Sequence, residues 1–560
     1  MAQRYTNASV PIKSESDSWL SYGVVFVSSL VIYLLTLSHN LVASHDSIGY
    51  INEIDHYQWL FHPHHLLYNP ISILWLKLFR WLGCESDSSY IVASLNSVFG
   101  AGGLVLIFII LRKRLSSNLS STISTLITIG ASFGFWFYSD CVEVYIIPLF
   151  FLLAVLCILL KPTLRSKDII LIGVFHGIAV LFHQIHVLLG FAIIARLIFF
   201  RKDLNISLSK ALTLYLAPAM GIIFLSYGLV LAIDVQPKNL NDVLYWGTAY
   251  SHSLPGSWNV PSLKSLFKAF IGFSHSVFGG HFMFAVPAIK ERLLQILGSH
   301  ELKDEIFLVS TLSQTVAQIL TILSVVFGLL LIYVLAVSLR FVKTIRHHLT
   351  PAIISIGVWI LVYCLFFWVW DPTNLEFWIP QTVLLFLIVH YCLQRMSNRM
   401  IAKAIVIIFP ILMLMINYFG SISRLHSEYN DYFFVEATAL AKITTAKDII
   451  LTDEQWIVEG YYKRFISAAI FSPEDINDTR PEYAISKQSL SRHLDSTLVN
   501  GGSVLIAIQN PKKPLSDSQY YSYLTQFFPQ STQRLSLHRR MIGNLEIGVI
   551  MKNPKIGYLF

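Results

Sequence analysis

Long apolar runs constrain this chain more than any other feature. Eleven can be placed, at about residues 19–42, 91–111, 119–138, 143–160, 168–186, 187–200, 211–233, 313–341, 351–370, 377–394 and 401–419. A transmembrane helix needs about 20 apolar residues to cross hydrocarbon about 30 Å thick, and it satisfies its own backbone hydrogen bonds there. The first run would be about 36 Å long as a helix. It is too long for a signal-peptide core and no small-residue cleavage site follows it, so it reads as a retained span. The run at 187–200 is too short to cross unaided and makes sense only as a bent or tightly connected hairpin with 168–186. Composition agrees: 54% of residues are hydrophobic and only 13% charged, against about 25% charged in soluble domains. A disordered chain, a secreted disulfide scaffold and a plain cytosolic enzyme are excluded.

The net charge is +8, from 41 basic and 33 acidic residues. Its distribution points to membrane orientation. With the N-terminus in the cytoplasm, the inner loops hold Arg112, Lys113, Arg114, Lys161, Arg165, Lys167, Arg201, Lys202, Lys210, Arg340, Lys343, Arg346, Arg395, Arg399 and Lys403. The short outer loops hold only Lys77 and Arg80. This is the positive-inside pattern, and an odd number of spans leaves the C-terminus outside. The lipid bilayer is therefore an expected partner. No nucleic-acid motif occurs, and nucleic acid is not one.

The chain thus reads as mainly α: a polytopic transmembrane helical bundle of about 11 spans with a small C-terminal α/β extracytoplasmic domain. Residues 1–18 form a cytoplasmic N-terminal segment. Residues 19–425 form the bundle, with outer loops 43–90 and 234–312, and residues 426–560 form the outer domain. Pro70–Leu82 reads as an interfacial helix. So does the stretch around Leu263, Leu266, Phe267, Phe270 and Ile271, whose helical spacing leaves Lys264 and Lys268 off the apolar face. In the tail, 448–453, 503–509 and 545–551 read as strands and 482–498 and 516–527 as helices. Gly501-Gly502 is a turn and not a phosphate loop. None of the five cysteines forms a CxxC pair, and a Cys84–Cys141 disulfide is left open.

Sorted by side, the polar groups of the span ends fall on the outer face: Asp46, Glu53, Asp55, His62-Pro-His64-His65, Asp140, Glu143, His183, His186, Asp371, Asn374 and Glu376. Ionisable residues at membrane depth are costly and mark functional cavities. A carboxylate there can take a proton from a hydroxyl, and a histidine–carboxylate cluster (His62, His64, His65, Glu53, Asp55) can hold a divalent ion. Each group also has a structural reading. Asp371, before Pro372, would cap a helix. Glu143 would offset a helix dipole. His183 and His186 would be packed polar residues of the bundle, and Lys264 and Lys268 would contact lipid headgroups.

The order of these motifs resembles the GT-C membrane glycosyltransferases. It is closest to the protein O-mannosyltransferase-like branch, which shares its plan with lipid A aminoarabinose transferases. The matching runs are His45-Asp46-Ser47-Ile-Gly-Tyr50 after the first span, the His62-Pro63 pair, and Phe135-Trp136-Phe-Tyr-Ser-Asp140-Cys-Val-Glu143-Val144-Tyr145. Gly177 to His186 and Asp371-Pro-Thr-Asn374-Leu-Glu376-Phe377-Trp378 follow. Residues 19–200 match well and 350–460 loosely. The family's second acidic residue, three positions after the first Asp, is here Gly49. The Pro-Gly-Tyr that follows His-Pro is here His64-His65-Leu66.

The resemblance implies an inverting sugar transfer on the outer face from a polyprenyl-phosphate donor to a protein, lipid or glycan hydroxyl. Asp46 would be the general base, with Glu53, Asp55, Glu143 or Asp140 as a second carboxylate. Tyr50, His62, His183, His186, Lys264, Lys268, Glu376 and Arg424 would bind substrate or phosphate. The one cofactor candidate is a divalent metal ion. A flippase of lipid-linked saccharides, an O-antigen ligase or polymerase, and a scaffold that lost catalysis are the competing readings.

Overall fold

In the computed structural model the described residues are 19–253, 258–297, 302–345, 350–452, 456–472, 487–508, 535–542 and 545–552. The chain divides into two compact units. The first comprises Met1–Ser38, Glu53–Ile296 and Thr311–His426, and the second His39–Asn52, Leu297–Ser310 and Ser427–Phe560.

The first unit is a helical bundle. Among the described residues, six helical stretches are long and apolar enough to cross a membrane: Ser88–Arg114, Leu208–Val235, Gln314–Ser338, Pro351–Val369, Leu375–Arg395 and Arg399–Leu425. The other expected spans are shorter helices. Trp19–Leu35, Ile146–Leu159, Ser166–Phe182 and Leu189–Phe199 follow the predicted segments. The run expected as one helix over 119–138 is broken into Leu119–Gly130 and Phe133–Asp140. Ser132 is the reason: its backbone is extended, and its hydroxyl donates to the Ile129 carbonyl at 2.6 Å. Serine readily trades helical for local side-chain bonds.

The bundle is apolar outside and encloses a minority of polar groups within an apolar core. Phe224, Leu225 and Leu229 stand exposed, whereas Glu143, Asp140 and Arg196 are buried. Burying large residues gains nothing against lipid, so small residues set helix contacts. At Gly173 an added Cβ would lie 2.4 Å from the Tyr215 carbonyl oxygen. The two helices Ser166–Phe182 and Leu208–Val230 therefore meet backbone to backbone. The two stretches expected as interfacial helices are helical, as Tyr68–Trp81 and Leu263–Phe278. The second turns Leu263, Leu266, Phe267 and Phe270 outward and buries Ser265, Ala269, Gly272 and Ser276.

The second unit holds a five-stranded sheet: β1 Ile449–Thr452, β2 Ala469–Phe471, β3 Val504–Ile508, β4 Leu535–Ile542 and β5 Leu545–Lys552, in the order β2-β1-β3-β5-β4. β1 runs parallel to β2 and β3, and β5 pairs antiparallel with β3 and β4. β1, β3 and β5 match the expected strands. β2 is too short to show a period, and the Arg539-Arg540 pair masks β4. The expected helix at 482–498 is found as Lys487–Val499, and the one at 516–527 lies outside the described residues. All five cysteines are free thiols, so the Cys84–Cys141 disulfide does not form.

Gly173→Val should force the helix pair apart and lower stability by about 1–3 kcal/mol, as overpacking does. Gly221→Val, on the same pair but with open space around its Cα, should not. Thermal unfolding in detergent compares the two.

Candidate active site

The His-Pro motif docks onto the end of the helix Ser166–Phe182. That helix stops because His183 is extended, and a 3-10 turn over Gln184–Leu188 follows. His183 and His186 therefore do not share a helix face, yet their rings stand 5.6 Å apart. The Gln184 amide N–H donates to the His64 carbonyl at 3.1 Å, and Leu67 N–H to the Leu181 carbonyl at 3.2 Å. The Gln184 side chain donates to the Pro63 carbonyl at 2.6 Å and accepts from His64 Nδ1 at 3.3 Å. Tyr227 also donates to the Pro63 carbonyl, at 2.5 Å. His65 meets the His183 ring edge-on at 4.5 Å. Burial pushes His64 down to about 4 and His65 well below the usual histidine range. Both rings are neutral at physiological pH.

Beside these histidines lies a buried carboxylate ring. Glu376 accepts from Tyr138 at 2.9 Å, from Tyr145 at 2.5 Å and from the Asn374 amide at 2.6 Å. The Tyr145 ring lies 5.1 Å from that of His183. The loop that carries Glu376 is seated by Gly272, where a Cβ would fall 2.4 Å from the Pro372 carbonyl oxygen. Trp378 donates to the same carbonyl at 3.0 Å. Asp371 has φ +36° and lies ahead of the helical turn Leu375–Trp378, so it does not cap a helix as expected. Tyr138, Tyr145 and Asn374 were not legible as partners of Glu376, because the tyrosines come from far along the chain. The Glu-Val-Tyr run was the available signal for Tyr145.

Asp140 closes the helix Phe133–Asp140, and Glu143 sits in the turn between it and the helix Ile146–Leu159. Asp140 accepts from Thr36 at 2.7 Å, and its carbonyl accepts from Ser38 N–H at 2.9 Å, which ties the end of the first helix in place. Glu143 is 0% exposed, accepts from its neighbour Val144 N–H at 2.9 Å and lies within electrostatic range of Tyr68 and Tyr138. Burial and that carboxylate hold the Tyr68 phenol well above the usual tyrosine range.

Asp46 and Tyr50 belong to the second unit. Asp46 is half-buried and caps the helix Ser47–His56, its carbonyl accepting from Tyr50 N–H at 3.0 Å. His45 before it has φ +62°, a left-handed conformation that costs a non-glycine residue energy. At Gly49 a Cβ would come 3.0 Å from the Trp456 ring, so an acidic side chain there would have to displace that ring.

The five residues expected around a divalent ion go three ways. His62 Nε2 lies 3.0 Å from both oxygens of Glu53, which also accepts from Asn69 at 2.8 Å. Asp55 accepts from Ser88 at 2.7 Å, and His64 and His65 face the 181–186 segment. Among the described residues no three His, Cys, Asp or Glu groups converge to hold a metal ion. Lys264 is exposed, Lys268 donates to Asn259 at 3.4 Å and Arg424 to Thr311 at 2.8 Å.

Leu263, Leu266, Phe267, Phe270, Leu361 and Trp368 line an apolar groove of ≈ 620 Å³ that Trp378 also borders. The groove and the carboxylate ring thus share the loop 371–378.

Glu376→Ala would strand the hydroxyls of Tyr138 and Tyr145 in the bundle. The expected loss is about 1–3 kcal/mol per stranded group, while Glu376→Gln, which still accepts, should lose less. Thermal unfolding in detergent measures both.

No protein-family model matches the chain, and no curated protein sequence matches it. Among solved structures it is similar to ArnT from Cupriavidus metallidurans in the apo state, at 11% identity and a TM-score of 0.58, over 96% of this chain and 99% of that one. It is likewise similar to the same protein bound to undecaprenyl phosphate, at 11% identity and a TM-score of 0.56, over 95% and 98%. The chain shares the fold of ArnT, a helical bundle with a small C-terminal α/β unit.

Proposed function

We propose that this chain is a membrane glycosyltransferase that moves a sugar from a polyprenyl-phosphate donor to an acceptor hydroxyl on the outer face of the plasma or inner membrane. One observation carries the reading: the apolar groove is bordered by Trp378, two residues along the chain from the buried Glu376. An amphiphile suits this arrangement, with its tail against Leu266, Phe270 and Leu365 and its polar head beside a carboxylate, two tyrosines and neutral histidines. The likeness to a protein solved with undecaprenyl phosphate supports a polyprenyl phosphate as that amphiphile.

In this reading Glu376, Tyr138, Tyr145 and Asn374 hold the hydroxyls of the donor sugar, with His183, His186 and His62 as further polar contacts. Asp46 takes the proton of the acceptor hydroxyl as its oxygen attacks the anomeric carbon. The bond from that carbon to the phosphate oxygen breaks, the carbon inverts, and polyprenyl phosphate leaves. Lys264, Lys268 and Arg424 offset the phosphate charge. Glu143 and Tyr50 support the site, and Asp140 acts through its bond to Thr36.

Asp46→Asn should lower transfer by about 10²–10⁴-fold, the usual worth of a general base. The assay is transfer of radiolabel from a polyprenyl-phosphate sugar to a cell-envelope acceptor fraction in nanodiscs. Label carried across the bilayer without transfer would favour the flippase reading instead. For orientation, Asn500→Cys in a cysteine-free background should react with an impermeant maleimide added outside intact cells. Arg201→Cys should react only after lysis, and the reverse pattern would invert the topology.

A further inference from the structure

The segment that carries Asp46 is clamped at both ends onto the C-terminal part of the chain. At its start, Asn40 donates to the Asn430 carbonyl at 3.2 Å and accepts from Ala43 N–H at 2.9 Å. Leu41 N–H donates to Asp431 at 3.0 Å. At its end, Asn52 donates to the Gly460 carbonyl at 3.0 Å, and Trp456 packs on Gly49.

Asp431 is the centre of the first clamp. It is 0% exposed. One oxygen accepts from Phe433 N–H and Phe434 N–H at 3.0 Å each, capping the helix Tyr432–Ala441. The other accepts from Leu41 N–H and from the Tyr461 hydroxyl. A single carboxylate thus joins three stretches of chain: the Asp46 loop, the helix Tyr432–Ala441 and the helix Trp456–Phe465. Between the clamps the loop bends at His45 with φ +62°. Such a strained conformation persists only where its surroundings over-determine it.

We propose that Asp431 and Tyr461 are positioning residues for Asp46, and that the C-terminal α/β unit is the mount of the proposed base. The inference rests on the reading of Asp46 as that base. Asp431 touches no reacting atom; it fixes the backbone five residues upstream of Asp46, and Tyr461 holds the Asp431 oxygen that does so. A neutral amide in place of Asp431 cannot accept from all four donors, because its NH2 group would face two of them.

The test uses the full chain in nanodiscs and compares Tyr461→Phe, Asp431→Asn, Asp46→Asn and Ile450→Val. The last lies in the core of β1, buried and away from the clamp, and controls for general loosening of the unit. Two readouts are taken: kcat and KM for a polyprenyl-phosphate sugar, and amide hydrogen exchange over residues 39–52. Tyr461→Phe should lower kcat about 10-fold with KM within twofold, and speed exchange over 41–50 about 10-fold. Asp431→Asn should lower kcat by about 100-fold. Ile450→Val should lower the thermal midpoint and leave kcat and loop exchange unchanged. Tyr461→Phe added to Asp46→Asn should cost no further rate, because residues that act as one unit are not additive.

Wild-type kcat and exchange in Tyr461→Phe, with transfer lost in Asp46→Asn, would overturn the positioning role and keep the base. Equal losses of kcat in Tyr461→Phe and Ile450→Val would also overturn it. Unchanged transfer in Asp46→Asn would overturn the base assignment itself, and the positioning role with it.

Discussion

A carboxylate inside an apolar bundle must be given its hydrogen-bond partners by the chain, because neither lipid nor bulk water supplies them. Much of the first unit follows from meeting that demand at Glu376. Its partners arrive from a helix, a turn and a loop, and each must come close. Gly272 lets the helix Leu263–Phe278 lie against the Pro372 carbonyl. The break at Ser132 lets the chain carry Tyr138 on its own short helix. The extended turn at 141–145 then brings Tyr145 to the same oxygen as Asn374. Features that look like defects in a membrane helix are here the means of assembling a polar centre.

The histidine motif shows the same economy by other means. Pro63 has a carbonyl but no N–H, and that carbonyl is taken by both Gln184 and Tyr227. The following residues fold back so that His64 and His65 reach the interrupted helix end at 181–186. Water is replaced by side-chain amide and phenol, and burial leaves the two imidazoles uncharged.

The sequence made the bundle, the helices Tyr68–Trp81 and Leu263–Phe278 and three of five strands legible, because hydropathy and period report burial directly. The run at 119–138 misled, since hydropathy reads composition and is blind to a serine that bonds its own helix. Grouping was less legible than membership. The polar residues were gathered at the span ends, and the histidine–acid cluster sorts into a His62–Glu53 contact, a serine bond and a docking loop. Asp371, with its Pro372, had the pattern of a cap but occupies a turn with positive φ. Pairings such as Glu376 with Tyr138, or Asp431 with Leu41, join positions hundreds of residues apart, and no local pattern encodes them.

The second unit is assembled from three separated stretches, His39–Asn52, Leu297–Ser310 and Ser427–Phe560. This sets an order for biogenesis. Asp46 emerges from the ribosome early, whereas Asp431 follows about 385 residues later. At the usual elongation rate of about 5–20 residues per second, the loop waits roughly 20–80 s for its anchor. The helices between them are threaded into the bilayer during that interval. The loop that bears Asp46 thus stays unanchored through membrane insertion, and its mount is completed only once the polypeptide is nearly finished.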